Sequence, residues 1–460
     1  MSFILKVLSL VASCLLVQQA EAQEQSYWVW QRTDPLIAQD VKDLRAAGVK
    51  ELYWHVGTIN RDRSSWHWRE RLPVDWVAIR ASCQGMQIIP VIRIEASSGL
   101  TFPEDSRAPL RKLLENLLSS AGSRALQIDY ESPDRLIDEY ADFLRGLKDQ
   151  GRSWRLSISA LVHWSKFGRQ LTGCADEITP MFYDLDPRSE RLVGDGMPPL
   201  VGTDISSQLE SWRSFPIPWK AGLPNFSRVT IIAPEGKNRG NLRGWTWNDI
   251  IFASFLQMAT PTAAGQTLLE VKRDSLLGYT PLYAQEHLDL RYPDRGQLRR
   301  AERESLAAGA HGVIYFRLAD ENDPSGFSVR DLNADQYHES ALRLTRDDSG
   351  RFVLTNIGTT DLMPAVRGAG ADERGYALEI EAQAPVWREA IAGDFAKATT
   401  AAVGASGSAL GSARLEFWFA HLASGNSLAT GYIDEAPSTK AVSIRWRIRN
   451  LKEELWHPLE

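Results

Sequence analysis

Little in this chain could carry a metal, a redox couple or a phosphate. Only three of its 460 residues are Cys. One, Cys14, lies in an N-terminal apolar run, which leaves Cys83 and Cys174. Two cysteines make no disulfide scaffold, even in an oxidising compartment. They fall near the ends of different expected helices, so two buried thiols are expected, with a single bridge as the alternative. The eight His residues show no metal-ligand spacing such as His-Glu-x-x-His, and no Gly-x-Ser-x-Gly nucleophile elbow is present. Neither Cys83 nor Cys174 sits in a context that marks a nucleophile. The expectation is a protein with no metal and no cofactor. A basic excess is also lacking: 52 Lys and Arg against 58 Asp and Glu leave a net charge of −6, which argues against nucleic-acid or anionic-membrane partners.

Long apolar runs are scarce too. One follows Lys6, from Val7 to Val17, and leads to the small-x-small stretch Ala20-Glu21-Ala22. It is too short to span a bilayer and reads as an export signal over residues 1–22. The expected mature chain starts near Gln23, lacks a membrane span and is periplasmic or extracellular. Lipoprotein processing at Cys14, after Val11-Ala12-Ser13, is the alternative; the apolar residues that follow Cys14 speak against it.

Tryptophan, by contrast, is abundant, with 16 residues. Trp28, Trp30, Trp54, Trp164 and Trp219 sit in or beside expected strands. Aromatic faces stack on sugar rings, and they also fill cores. From about residue 25 to 345, short apolar strands alternate with amphipathic segments. The strands are Tyr27–Gln31, Glu51–Val56, Gln87–Ile94, Ala125–Glu131, Arg155–Val162, Glu177–Asp184, Trp219–Leu223 and Gly312–Leu318. Helical segments lie at Ile37–Ala47, Trp76–Cys83, Leu110–Ser120, Arg135–Lys148, Ser207–Trp212 and Gln297–Ala308, and a helix-like run spans Trp247–Met258. Eight such repeats predict an α/β fold, a (β/α)8 TIM-type barrel over residues 23–345. A doubly wound sheet is the alternative, although no Gly-rich phosphate loop follows any strand. Residues 346–460 change texture, with period-two segments between Gly/Ser/Ala-rich stretches such as Ala401–Ser412. They predict a small β-sandwich-like accessory domain, either a structural companion or a sugar-binding module.

The most informative strand is the fourth. Successive side chains on a strand point to opposite faces. Leu126, Ile128 and Tyr130 therefore share one face, expected against the helices, and Gln127, Asp129 and Glu131 share the other, expected in the lumen. Residues two apart lie roughly 6.6 Å apart along a strand, so the two carboxyl groups can approach. Like charges in a shielded site raise one pKa, which is how a Glu stays protonated to act as general acid. A carboxylate pair tied to Arg93 is the structural alternative. At the end of strand six stand Met181-Phe182-Tyr183-Asp184. A phenol there can hydrogen-bond a substrate carbonyl, or simply be a core Tyr. Arg93 and Glu95, ending strand three, and Asp320 are further candidates. Glu95 could supply a second carboxylate, and all three could equally be surface or salt-bridged charges.

Together these stretches resemble glycoside hydrolase family 18, the chitinase-type barrels. That family carries Asp-x-x-Asp-x-Asp-x-Glu on strand four and Met-x-Tyr-Asp on strand six. Arg124-Ala125-Leu126-Gln127-Ile128-Asp129-Tyr130-Glu131 and Met181-Phe182-Tyr183-Asp184 match in order and place, with Arg124 and Gln127 standing where the family has Asp. Gly312-Val313-Ile314-Tyr315-Phe316 looks like its Gly-Val-x-x-Trp, with Phe316 in place of the floor Trp. The barrel and C-terminal region together look most like a bacterial family called domain of unknown function 3142. The resemblance implies that Glu131 protonates the glycosidic oxygen while the substrate's own acetamide attacks the anomeric carbon. Asp129 would orient that acetamide, Tyr183 would hold its oxygen, Asp184 would meet sugar hydroxyls and Phe316 would form the floor. Gln127, Met181, Trp30, Trp164, Arg93 and Glu95 complete the expected sugar site.

The expectation is an exported glycoside hydrolase acting on a polysaccharide or glycan, with amino sugars as the natural substrate class. The alternatives are a catalytically degenerate barrel that binds glycans in the cell envelope, and a polysaccharide deacetylase or lyase on the same scaffold.

Overall fold

The computed structural model describes residues 24–62, 65–95, 101–149, 153–183, 200–201, 205–260, 265–320, 326–334, 341–364, 374–401, 412–435, 442–451 and 454–459. The export signal with Cys14, Asp184, and most of Ala401–Ser412 lie outside the described residues.

Eight parallel strands close into a barrel with helices around it: β1 Glu24–Val29, β2 Glu51–Asp62, β3 Gln87–Ile94, β4 Ala125–Asp129, β5 Arg155–Leu161, β6 Glu177–Met181, β7 Lys220–Pro224 and β8 Gly312–Phe316. Each pairs with its neighbour in sequence order. Closure comes from β8 on β1, with Glu24 opposite Gly312 and Trp28 opposite Phe316. This is the expected (β/α)8 architecture. The helices form where apolar residues recur on one face. In Arg107–Ala121, Leu110, Leu114, Leu117, Leu118 and Ala121 are buried, and Gly122 ends the helix in the left-handed conformation at φ 63°. Trp76–Ser82 starts on Asp75, whose carboxylate accepts from the backbone N–H groups of Val77 and Ala78, each at 3.0 Å. Cys83 and Cys174 are buried free thiols, as expected.

Four strands end two or three residues sooner than alternation alone predicts, at Val29, Asp129, Met181 and Phe316. The β3–β4 ladder stops at Arg93–Asp129 and the β4–β5 ladder at Ile128–Ile158. Pairing stops there although β3 runs on to Ile94 and β5 to Leu161, and Tyr130 and Glu131 lie outside the sheet. Likewise β6 ends at Met181, and Tyr183 lies past it. Conversely, β2 runs on to Asp62 and folds back on an antiparallel strand, Ser65–Arg71. A bulge between His55 and Gly57 accompanies that turn. Gly57 is required there: at φ 136° its backbone lies so close to Glu70 that a Cβ would meet the carbonyl oxygen at 2.2 Å.

The described residues of 225–294 and 319–460 form a second compact unit. Within it, Arg228–Ile232, Asn238–Asn241, Leu256–Thr260, Gln266–Val271 and His287–Arg291 make a five-stranded antiparallel sheet. The helix-like run Trp247–Met258 divides: Trp247–Ile251 is helical, and Leu256–Thr260 pairs with Gln266–Val271. A ladder partner overrides the helical pattern there. Further along, the sheets containing Phe352–Asn356 and Tyr376–Ala382 share one core of Leu344, Phe352, Leu354, Leu378, Ile380, Trp387 and Phe417, a β-sandwich-like arrangement.

Candidate functional site

The lumen is filled in layers from strand residues of one parity. The N-terminal end is a charged plug. Lys220 Nζ lies 2.7 Å from Glu51, 3.2 Å from Glu24 and 3.7 Å from Glu177. Arg155 reaches Glu51 at 2.5 Å and Glu177 at 3.5 Å. The Tyr53 hydroxyl donates to Glu177 at 2.7 Å, and His311 Nε2 lies 3.1 Å from the same carboxylate. Burial alone would raise the Glu177 pKa; His311, Lys220, Arg155 and Tyr53 more than offset it and hold it at about 2.

The middle layer is neutral. Gln127 is fully buried. Its Oε1 accepts from Trp28 Nε1 at 2.6 Å, and its Nε2 donates to Ser157 at 3.1 Å and Thr179 at 3.4 Å. Ile89, Val91, Ala125 and Ile314 pack around Trp28 and Tyr53. Gly222 makes room for the indole, since a Cβ there would meet Trp28 Cη2 and Pro180 O at 3.1 Å.

The C-terminal layer brings together most of the residues singled out in the sequence. Asp129 Oδ1 accepts from Ser159 Oγ at 2.5 Å. Burial raises the Asp129 pKa, and the Ser159 hydrogen bond and the Arg93 charge only partly offset it. The upward shift thus falls on Asp129 and comes from burial rather than from a like charge. Tyr183 stacks on Phe316, with ring centroids 5.7 Å apart and planes at 17°. Phe316 meets Trp30 edge-on at 5.2 Å and Trp28 at 5.9 Å. Trp30 in turn stacks on His55 at 4.0 Å and 17°. Burial, then the Arg93 charge, lowers the His55 pKa to about 4, so its imidazole is neutral at ordinary pH. Met181 packs in the same cluster.

This end opens to solvent. Arg93 and Glu131 are exposed, and Trp30, Asp129, Met181, Tyr183 and Phe316 are partly so, whereas Trp28, Tyr53 and Gln127 beneath them are buried. A carboxyl that holds its proton more readily than usual stands beside a cation and an aromatic wall, over a buried floor of Trp28, Tyr53 and Gln127. Such an arrangement can bind a sugar ring by stacking and exchange a proton with it.

Comparison with solved structures finds chains of similar fold. The barrel is similar to the Bacillus cereus spore cortex-lytic enzyme SleL (14% identity over 64% of this chain and 70% of that one, TM-score 0.43). It is also similar to a chitinase from Chromobacterium violaceum (13% identity, 65% and 96% covered, TM-score 0.42). A third is a glycoside hydrolase family 18 N-acetylglucosaminidase from Paenibacillus barengoltzii (13% identity, 64% and 95% covered, TM-score 0.44). No family model matches the chain, so the resemblance to domain of unknown function 3142 draws no support from that comparison. No curated protein matches either. What the site does chemically rests on its own residues.

Two sequence candidates stand apart from the cluster. Trp164, on the 3-10 turn after β5, is fully buried with its ring against Tyr140 of helix Ile137–Asp149, in the shell between strands and helices. Glu95 is engaged by Arg69 of the strand that folds back on β2. Asp320 belongs to the second unit. Tyr130 packs on the helix side against Phe102 and Tyr140, as its parity predicts. Sequence reasoning passed over His55, Ser157, Ser159 and Thr179, and named Trp28 only among the aromatic residues. Parity was the available signal, since Trp28 is two residues from Trp30 and Thr179 two from Met181. Among the described residues, no group of three His, Cys, Asp or Glu could hold a metal, and no helix is long and apolar enough to cross a membrane.

Proposed function

We propose that this protein is an exported glycoside hydrolase-like enzyme that cleaves O-glycosidic bonds in a glycan or polysaccharide containing N-acetyl amino sugars. The observation that carries this reading is the meeting, at one open barrel end, of the Ser159-held Asp129 carboxyl with the aromatic wall of Trp30, Phe316 and Tyr183. A sugar ring stacks on the wall. Glu131, at the rim, gives its proton to the glycosidic oxygen as that bond breaks. The substrate's acetamide oxygen bonds to the anomeric carbon, and Asp129 and Tyr183 hold the acetamide in place. Water then attacks the same carbon, the acetamide leaves, and Glu131 recovers a proton. Residues 346–460 are proposed as an accessory β domain.

The test is Glu131→Gln. Wild-type protein is expected to release new reducing ends from N-acetylglucosamine oligosaccharides. The variant is expected to lose this by about 10²- to 10⁴-fold, as for removal of a general acid, with its circular dichroism unchanged. Full activity in the variant would refute the assignment.

One observation favours a second reading, a barrel that binds glycans without cutting them. Gln127 stands where the resemblance calls for a titrating Asp, and its amide is committed to Trp28, Ser157 and Thr179. Binding without turnover across a panel of glycans supports that reading.

A further inference from the structure

We propose that Arg93 is the receptor for an acidic substituent, so that the glycan taken by this barrel carries a carboxylate or phosphate on or beside the sugar held at its mouth. The proposal rests on the hydrolase reading and names its substrate class. Along the lumen face of β3, Ile89 and Val91 are buried and apolar, and the next residue of that parity is an exposed arginine. The ladder places Arg93 opposite Asp129 on one side and Thr58 on the other. The guanidinium therefore belongs to the same open layer as the carboxyl and the aromatic wall.

Such a cation ordinarily has a carboxylate to match it. Among the described residues, none lies within 4.0 Å of the Arg93 guanidinium. Asp129 is turned to Ser159 and, being buried, resists ionisation. Glu95, next on the lumen face of β3, is engaged by Arg69. A planar guanidinium binds carboxylate and phosphate oxygens in a two-pronged pair, so both anions are chemically matched. The chain's net charge of −6 repels anions at long range. Selection of an acidic glycan therefore needs a local cation at the mouth, and Arg93 supplies one.

The experiment measures affinity by calorimetry on full-length protein carrying Glu131→Gln. Three probes of equal length are used: an N-acetylglucosamine tetramer, the same tetramer phosphorylated on O6, and a tetrasaccharide alternating N-acetylglucosamine with glucuronate. The readout is the ratio of acidic to neutral affinity. It is expected to reach about 10- to 100-fold for one of the acidic probes, the yield of a charge-assisted pair, and the stronger of the two identifies the anion. Adding Arg93→Gln is expected to bring the ratio close to one, and Arg93→Lys, which keeps charge but loses the fork, to leave part of it. If the Gln variant does not fold, the Lys variant carries the same comparison. A ratio near one before Arg93 is changed, or a ratio that survives its removal, overturns the proposal. Turnover by wild-type protein is scored separately: an Arg93-dependent preference without turnover keeps this proposal and removes the hydrolase reading, and turnover without preference does the reverse.

Discussion

The Trp28 indole donates its N–H to the Gln127 side-chain oxygen at 2.6 Å, joining β1 to β4 through the barrel lumen. That bond settles which way the amide faces, because its nitrogen is then left to Ser157 and Thr179. The result is a neutral, buried floor one step below Asp129.

Changing that floor should change Asp129. In Gln127→Glu, the new carboxyl can still accept from Trp28, Ser157 and Thr179. It places a like charge beside Asp129, which makes Asp129 harder still to ionise. The acid limb of the pH–activity profile is expected to move to higher pH, and carboxyl resonances followed by NMR titration should show Asp129 rising. A profile that does not move would mean that the two groups do not sense each other.

Ser159 is expected to act on the same limb from the other side. Its hydroxyl stabilises the charged form of Asp129. Ser159→Ala removes that stabilisation, so the acid limb again moves upward, whereas Ser159→Thr, which keeps a hydroxyl, should restore it. An effect on overall rate with no change in pH profile would assign Ser159 a packing role instead.

Gly222 is expected to tolerate no side chain. A Cβ would press on Trp28 and on the Pro180 carbonyl. Gly222→Val should cost about 1–3 kcal/mol of stability, as overpacking does, and shift Trp28 away from Gln127. Urea denaturation with tryptophan fluorescence reads both effects.

The charged plug should govern acid stability. Glu177 titrates near 2 in the folded protein, against 4.5 for an ordinary glutamate. A depressed pKa means that its stabilisation is complete above about pH 4.5 and is lost as pH falls toward 2, on the order of 3 kcal/mol in all. Lys220, whose side chain is 1% exposed, matches that charge. Lys220→Met leaves the acidic cluster under-compensated and is expected to cost about 3–5 kcal/mol, as breaking a buried pair does. Thermal unfolding at pH 7 and pH 3 checks it: the gap between wild type and variant should narrow at the lower pH, where Glu177 begins to protonate.

Some of this site was legible residue by residue. The alternation of Leu126, Ile128 and Tyr130 with Gln127 and Asp129 placed the right side chains in the lumen, because a strand's geometry permits only two faces. Trp164 looked like the other tryptophans beside strands, but it follows β5 on a turn and is buried on the helix side. Glu95 has the parity of a lumen residue, and its partner Arg69 comes from a strand that the alternation did not reveal. His55 carried no motif at all; its place depends on Trp30, which arrives from the neighbouring strand.

Local chemistry in the chain was enough to determine the eight strands, the faces they present and the two isolated thiols, because these follow from periodicity and residue type over a few neighbours. Tertiary structure alone decided where strands stop: β4 ends at Asp129 and β6 at Met181, although partner strands run on beside them. It also decided who meets whom in the lumen. The Lys220 plug and the Trp28–Gln127 bond join strands far apart in sequence, and the Ser159–Asp129 pair joins two consecutive strands. Barrel closure brings such residues to one axis, and burial together with the partners met there, rather than any motif, sets the charge each one prefers to carry.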